Sequence, residues 1–330
     1  MQGQKSFSRI LGTGGYLPGK PVSNHELVNR LKKLDVNSSD EWITDRTGIN
    51  NRHFCGNMST REMGFMAATK AIKASKISVD SIDLIIVATT TPDLIFPSVA
   101  CHIEKDLGLQ RCTSFDIQAV CSGFVYGLTI ADVFIKSGTK KNALVIGSER
   151  LSTILDWKDR STCVLFGDGA GAVIVSAENG TGDKSDRGIL ASDLNSDGTL
   201  KNILYVDGGV STQSTGYLRM HGKEVYRHAI EKLATTAQNS METAGVSVSE
   251  IDWIVPHQAN IRIIHGTAKK MGIPRERVLT TVQDHGNTSA ASIPLALSVS
   301  KINGFIKKND LIVTEAIGGG LAWGSLVIRW

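Results

Sequence analysis

The stretch ASKISVDSIDLIIV, residues 74–87, recurs as TAGVSVSEIDWIVP, residues 243–256, at an offset of 169. Both stretches are typical of a helix end, a short turn and a buried strand. A second pair, KKNALVI at 140–146 and KKNDLIV at 307–313, repeats at an offset of 167. The chain is therefore predicted to contain two copies of one strand-and-helix unit.

The apolar runs of both copies predict the architecture. Short strands that are apolar on both faces belong in sheets covered by helices on both sides. We expect an α/β fold in which two sheets are layered with helices between and outside them. The predicted halves are residues 1–178 and 188–330, joined by a polar stretch. The predicted strands are 84–89, 143–147 and 172–176 in the first half, and 253–255, 311–315 and 325–329 in the second.

Composition excludes several classes of protein. The hydrophobic fraction of 41% and charged fraction of 21% are those of an ordinary globular protein. A net charge of +4 without a basic block makes nucleic acid an unexpected partner. No run approaches the roughly 18 apolar residues of a membrane span. Five cysteines without a Cys-x-x-Cys pair predict neither a disulfide framework nor a metal site, so we expect a cytoplasmic protein.

Cys121 is the candidate nucleophile. It lies in AVCSGF, between the strand-like residues 113–120 and an amphipathic helical run. An offset of 167 pairs it with Thr288 in the second copy. Because unpaired N–H groups at a helix N-terminus favour the thiolate, we expect its pKa to lie below the usual value of roughly 8.5.

Two polar clusters in the second copy accompany this thiol. They are PHQAN at 256–260 and HGNTSAAS at 285–292, and the latter follows a strand-like stretch at 278–282. Polar side chains at strand ends are where α/β folds carry chemistry. We therefore expect His257 and Asn287 to meet the thiol where the two halves join.

Several motifs carry a family resemblance when taken together: SDEWI at 39–43, RTG at 46–48, AVCSGF at 119–124, FGDGAG at 166–171, PHQAN at 256–260, GNTS at 286–289 and GGG at 318–320. In order and spacing they resemble β-ketoacyl-acyl-carrier-protein synthase III, a condensing enzyme of the thiolase superfamily. The resemblance runs from about residue 10 to residue 330. It implies the thiolase-like fold, whose duplicated halves form a layered α-β-α-β-α arrangement.

The resemblance implies a two-step acyl transfer that initiates fatty acid biosynthesis. Cys121 would attack a short acyl-CoA, with acetyl-CoA expected, while the N–H groups of Cys121 and Gly319 hold the oxyanion. Malonyl-acyl-carrier protein would then lose carbon dioxide as His257 and Asn287 donate hydrogen bonds to its thioester oxygen. Its carbanion takes the acyl group and gives 3-oxoacyl-acyl-carrier protein. CoA is a substrate in this scheme, and no cofactor is expected.

The resemblance also implies a CoA site and a homodimer. An indole and a guanidinium would enclose the adenine, and these roles fall to Trp42 and Arg160. Arg46 would lie near the phosphates, and Asn260 belongs to the same site. Phe96 corresponds to the residue that closes the partner's acyl pocket across the dimer interface.

A basic rim is expected for the acidic carrier protein. Arg262, Lys269 and Lys270 stand at i, i+7 and i+8 of one predicted helix, so they share a face. Arg227 holds a matching position on the preceding helix. Opposite charges at such a rim would guide docking.

Two alternatives remain open from the sequence. One is a specialised acyltransferase or ketosynthase of secondary metabolism from the same superfamily. The other is an inactive structural subunit of a larger synthase. Retention of Cys121, His257 and Asn287 argues against the inactive subunit, because such a subunit would normally lose its nucleophile. Pocket positions that depart from the family pattern leave the preferred primer open, since one methylene is worth only about 1 to 3 kcal/mol of discrimination.

Overall fold

The computed structural model describes residues 5–181 and 183–330. The helices in these residues are α1 (Asn24–Lys32), α2 (Asp40–Thr47), α3 (Thr60–Ser75), α4 (Val99–Asp106), α5 (Gly123–Lys136), α6 (Gly222–Ala244), α7 (Ile261–Lys270), α8 (Val282–His285) and α9 (Ser292–Ile302). The strands are β1 (Lys5–Tyr16), β2 (Val22–Ser23), β3 (Asn51–Arg52), β4 (Leu84–Ala88), β5 (Thr113–Ile117), β6 (Asn142–Glu149), β7 (Gly169–Gly180), β8 (Gly188–Ser196), β9 (Leu204–Val206), β10 (Leu218–Met220), β11 (Trp253–Ile254), β12 (Leu311–Gly318) and β13 (Ala322–Arg329).

The two main sheets repeat one strand order. The first is β1-β7-β6-β4-β5 and the second is β8-β13-β12-β11. In the second sheet, one parallel bridge between Ile254 and Val278 stands where the first sheet has β5. The strand-like stretch at 278–282 is therefore not a strand, because the chain leaves the sheet after this bridge and enters α8.

Hydrogen bonds at the starts of β6 and β12 fix the offset between the copies. Asp83 Oδ1 accepts from the Asn142 backbone N–H at 3.0 Å, and Asp252 Oδ2 accepts from the Leu311 backbone N–H at 2.8 Å. Both pairs are related by 169 residues. The offset of 167 suggested by the KKN motifs is therefore wrong by two residues, because the lysines lie before the strands and are not held in register.

The same offset of 169 relates the two turns that precede α5 and α9. The turns Val120–Ser122 and Ser289–Ala291 are single 3₁₀ turns, and each begins with a residue at a φ of 50°. The counterpart of Cys121 is consequently Ala290, not Thr288.

Helices α5 and α9 lie between the sheets. Phe124 and Leu128 of α5 pack with Ile293 and Leu297 of α9 in one buried cluster that includes residues of both sheets. Helix α3 packs on the outer face of the first sheet, and α6 and α7 pack on that of the second. Sheets covered on both faces explain why β4 is buried along its whole length. The layered α-β-α-β-α arrangement is confirmed.

The six predicted strands are present as β4, β6, β7, β11, β12 and β13. Strands β1 and β8 lie outside the predicted set, because glycine and polar residues interrupt their apolar pattern. The division of the chain at residues 178 and 188 stays a prediction.

Candidate active site

Cys121, His257 and Asn287 line one cavity of about 1910 Å³. Cys121 stands in the turn between β5 and α5. His257 follows β11, where its backbone N–H donates to the Glu315 carbonyl at 2.8 Å. Asn287 forms a parallel bridge with Phe166 just before the turn that precedes α9. The two copies therefore deliver the three side chains to their common boundary.

The Cys121 thiol is buried, with 5% of the residue exposed. Burial raises its pKa to about 12, while a hydrogen bond with Ser289 lowers it and the nearby Glu149 carboxyl raises it. Our expectation of a lowered pKa is wrong in direction, because desolvation of the thiolate outweighs the helix N-terminus. The thiol needs a proton acceptor when it reacts.

His257 is held as a neutral imidazole. Burial lowers its pKa to about 3. Nδ1 lies 2.7 Å from Ser292 Oγ, which also accepts from the Gln258 backbone N–H at 3.3 Å. Because Ser292 Oγ accepts the Gln258 N–H, its own proton can be donated to Nδ1, which then acts as the acceptor. The ring proton therefore lies on Nε2. His257 thus offers the cavity an uncharged N–H donor.

Asn287 is oriented by the backbone around it. Its N–H donates to the Leu165 carbonyl at 2.8 Å, and its carbonyl accepts from the Gly167 N–H at 3.0 Å. Side-chain Oδ1 accepts from the Ser289 N–H at 2.9 Å. Because Oδ1 is occupied, the group that Asn287 offers to the cavity is its Nδ2 amide.

The glycine run after β12 packs directly against the nucleophile turn. A Cβ at position 318 would lie 2.7 Å from the Cys121 backbone nitrogen, and one at 319 would lie 2.6 Å from the Leu204 carbonyl oxygen. Only glycine fits so close an approach. Gly319 lines the cavity together with Cys121.

An aromatic and cationic group also contributes to the cavity wall. Trp42, Arg46 and Asn260 line the cavity. The Arg46 and Arg160 guanidiniums lie 5.4 Å and 4.6 Å from the centroid of the Trp42 ring. Arg160 also donates to the Asn37 carbonyl at 2.5 Å. Asn260 caps α7 through Oδ1, which leaves its amide free to donate.

Comparison with known proteins decides the family. The model of 3-oxoacyl-[acyl-carrier-protein] synthase III matches residues 115–198, and that of its C-terminal region matches residues 241–330. A β-ketoacyl-[acyl-carrier-protein] synthase III of Ruegeria sp. (strain TM1040) is 59% identical over 97% of this chain and 98% of its own. The chain belongs to the β-ketoacyl-acyl-carrier-protein synthase III family.

Solved structures of the synthase family agree with this assignment. A synthase III from Aquifex aeolicus VF5 has a TM-score of 0.90 and 46% identity, with 98% of this chain and 100% of that chain covered. A priming β-ketosynthase of the R1128 polyketide pathway has a TM-score of 0.91 and 32% identity, with 99% and 97% covered. The chain is an acyl-transferring condensing enzyme, and its relatives do not favour the specialised alternative.

The four basic residues of the predicted docking row are all exposed on this synthase. Arg262 pairs with Asp45 at 3.1 Å, and Lys270 pairs with Glu231. Within residues 5–181 and 183–330, Arg227 and Lys269 form no ion pair. The row is therefore basic, with two of its four charges balanced by neighbouring carboxylates.

Phe96 lies outside the cavity wall. It is 82% exposed and follows Ile95, which is 74% exposed. Large apolar side chains exposed side by side are typical of surfaces that another chain covers. No helix in the described residues is long and apolar enough to cross a membrane.

Several residues of the synthase site escaped the sequence analysis. Ser292 and Ser289 lie inside the HGNTSAAS motif, yet nothing local tells which side chain they contact. Gln258 fixes the loop after β11: its Nε2 donates to the Leu279 carbonyl at 3.2 Å and its Oε1 accepts from the Thr281 N–H at 2.8 Å. Glu149 is the one missed residue that the sequence could have indicated, because it is a polar residue at the end of a strand, β6.

Proposed function

We propose that the chain condenses a short acyl-CoA, with acetyl-CoA as the expected primer, with malonyl-acyl-carrier protein. The product is 3-oxoacyl-acyl-carrier protein, and the reaction initiates fatty acid biosynthesis. The observation that carries this proposal is the meeting of a thiol with two neutral hydrogen-bond donors, Cys121 with His257 and Asn287, in one cavity.

The first half-reaction transfers the acyl group to Cys121. Its sulfur attacks the thioester carbonyl, and the backbone N–H groups of Cys121 and Gly319 stabilise the oxyanion. Collapse of this intermediate breaks the bond to the CoA sulfur and leaves an acyl-enzyme. Free CoA departs as a product, so CoA is a substrate in this scheme and the proposed reaction uses no cofactor.

The second half-reaction uses the donors of the second copy. Malonyl-acyl-carrier protein loses carbon dioxide, and negative charge develops on its thioester oxygen. His257 Nε2 and Asn287 Nδ2 donate hydrogen bonds to that oxygen, so they stabilise the charge as it forms. The resulting carbanion attacks the acyl carbonyl on Cys121, forms the new carbon–carbon bond and releases the sulfur.

Trp42, Arg46, Arg160 and Asn260 would bind CoA. The flat indole suits adenine, and the guanidiniums suit the ring and the phosphates. The Arg160 guanidinium lies 4.6 Å from the Trp42 ring. Because two stacked contacts need roughly 7 Å, Arg160 must move away from the indole when adenine enters.

The exposed basic row would dock the acidic carrier protein. Replacing Arg262 and Lys269 by glutamate should raise KM for malonyl-acyl-carrier protein and leave acyl-CoA transfer unchanged. Lys73→Glu combined with Lys307→Glu provides a charge-matched control, because both residues are exposed and neither lines the cavity. Equal KM values for the row variant and the control would contradict docking at this row.

We also propose a cytoplasmic homodimer in which Phe96 is covered by the partner. Five unpaired cysteines suit a reducing compartment, and the exposed apolar run suits a dimer interface. Light scattering on the purified protein should give a dimer, and Phe96→Asp should shift it towards monomer. A monomeric wild-type protein would contradict this assignment.

Intact-protein mass spectrometry after mixing with a panel of acyl-CoAs tests the function. One acyl group should be added to the wild-type chain, and Cys121→Ala should stay unmodified. The acyl-CoA that reacts fastest identifies the primer. Absence of an adduct from every member of the panel would contradict the proposed first step.

A further inference from the structure

Glu149 is a fully buried carboxyl beside the nucleophile. Its Oε2 accepts from the Thr90 N–H at 3.0 Å, from Thr90 Oγ1 at 2.9 Å and from Thr91 Oγ1 at 3.0 Å, with Thr89 Oγ1 at 3.4 Å. Its Oε1 accepts from Ser289 Oγ at 3.0 Å. These partners are all neutral. A carboxylate buried without a cation is unfavourable, and burial raises the pKa of Glu149.

Ser289 connects this carboxyl to the nucleophile. It lines the cavity together with Cys121, and the proximity of its hydroxyl lowers the pKa of the Cys121 thiol. Its backbone N–H is used separately, by Asn287 Oδ1. Ser289 also has a φ of 50°, which is uncommon for a residue other than glycine. The hydroxyl is therefore hydrogen-bonded to the carboxyl at the wall of the cavity that holds the thiol.

We propose that Glu149 is the proton acceptor for Cys121, acting through the Ser289 hydroxyl. Before reaction, the Cys121 S–H donates to Ser289 Oγ and the Ser289 O–H donates to Glu149 Oε1. During attack the S–H bond breaks and its proton bonds to Ser289 Oγ, while the original hydroxyl proton bonds to Oε1. A thiolate, an unchanged hydroxyl and a neutral carboxylic acid result. The proton then neutralises the departing CoA thiolate.

This relay explains how a buried thiol with a raised pKa can lose its proton. Ionisation into solvent would leave two negative charges close together, and the Glu149 charge already raises the pKa of Cys121. Transfer to Glu149 keeps one negative charge in the site and only changes its position. Buried groups that share one proton in this way titrate as a pair.

Other titratable groups near the pair do not replace Glu149. His257 shares the cavity with Cys121, but its pKa of about 3 keeps it neutral and a poor base at physiological pH. Arg150 follows Glu149 in the chain, and its guanidinium donates to the Gly56 carbonyl at 2.6 Å. Glu149 is the carboxyl that reaches Cys121 through one hydroxyl.

The shared proton has a measurable consequence. The thiol–carboxylate form and the thiolate–carboxylic acid form hold the same number of protons, so their ratio does not change with pH while the pair holds one proton. The rate of Cys121 alkylation by iodoacetamide, read by peptide mass spectrometry, should vary less than about threefold between pH 6 and pH 9. An isolated thiol with a high pKa would react about tenfold faster per pH unit.

Two variants should give Cys121 the pH-dependent alkylation rate of an isolated thiol. Glu149→Gln removes the acceptor. Ser289→Ala removes only the hydroxyl and keeps the backbone N–H that holds Asn287, so it provides a second test if Glu149→Gln fails to fold. Glu315→Gln is the matched control: Glu315 is another fully buried carboxyl with a raised pKa, and it should keep the flat profile.

The wild-type profile can overturn the relay directly. A rise of about tenfold per pH unit in the wild type, or a flat profile that persists in both Glu149→Gln and Ser289→Ala, would exclude it. The mechanism rests on the proposed function, but alkylation needs no acyl donor. A chain that rejects every acyl-CoA would therefore still report whether Cys121 and Glu149 share a proton.

Discussion

The turns that precede α5 and α9 have the same backbone and carry different chemistry. Each begins at a residue with a φ of 50° and leads into a helix buried between the sheets. In the first copy the second residue of the turn is Cys121, and in the second copy it is Ala290. The first residue is Val120 in one and Ser289 in the other. Duplication thus provides two equivalent places that face each other, one for the nucleophile and one for the groups that support it.

The sheets differ at the edge nearest this boundary. The first sheet has β5 as a full fifth strand, whereas the second has a single bridge at Val278. Gln258 compensates for the missing ladder, because its side-chain amide bonds to the backbone of residues on both sides of the gap. The chain is thereby free to turn through α8 and present Asn287 to the cavity.

Substituting the second residue of the turn before α5 should produce the largest effect. Cys121→Ala should lower acyl transfer at least about a thousandfold, because Cys121 is the one cysteine among the described residues that line the cavity. Ala290→Gly changes the same position of the second copy and should cost no more than about 1 kcal/mol of stability. Acyl transfer is measured by mass spectrometry. Loss of transfer in Ala290→Gly without unfolding would show that the copies do not divide their roles.

The donors of the second copy should affect only the second half-reaction. His257→Ala and Asn287→Ala should each lower carbon dioxide release from malonyl-acyl-carrier protein by about 10²- to 10³-fold, because one donor to the developing oxyanion is lost. Acylation of Cys121 should change little. Both half-reactions are followed separately by mass spectrometry and by released carbon dioxide. An equal fall in both rates would contradict the assignment of these two donors to the second half-reaction alone.

Contact between the copies can be broken at Gly147. A Cβ there would lie 2.2 Å from the Ala290 carbonyl oxygen, within the turn that faces Cys121. Gly147→Ala should therefore lower the free energy of unfolding by about 3 kcal/mol, as measured by urea denaturation. Gly198→Ala has open space around the new methyl group and should stay within about 0.5 kcal/mol. Equal free energies of unfolding for the two variants would mean that the backbone at this boundary shifts to accommodate the new methyl group.

The sequence predicted the duplication and the apolar strands because both depend on local patterns. It also singled out Cys121, His257 and Asn287, since polar residues at strand ends are visible along the chain. The link between Glu149 and Ser289 spans 140 residues, and no local pattern reveals such a partner. The pKa of Cys121 depends on burial, which is a property of the folded chain, so helix position alone gave the wrong direction.

Buried carboxyl and imidazole groups respond to pH in opposite directions. In the first copy, burial raises the pKa of Glu149, so its contribution to stability falls as pH rises through that raised value. In the second copy, burial lowers the pKa of His285 from 6.5 to about 4. The unfolded chain then binds more protons below pH 6.5, so stability falls as pH drops from about 6.5 towards 4.

His285→Gln isolates the response of this one imidazole. Between pH 6.5 and pH 5 the wild-type protein should lose up to about 2 kcal/mol more free energy of unfolding than the variant, because only the wild type gains a proton at this residue on unfolding. Urea denaturation at the two pH values measures the difference. Since His285 does not line the cavity, acyl transfer serves as the check that the variant is folded. Parallel pH profiles would mean that His285 is protonated equally in the folded and unfolded states, which would contradict the lowered pKa of this imidazole.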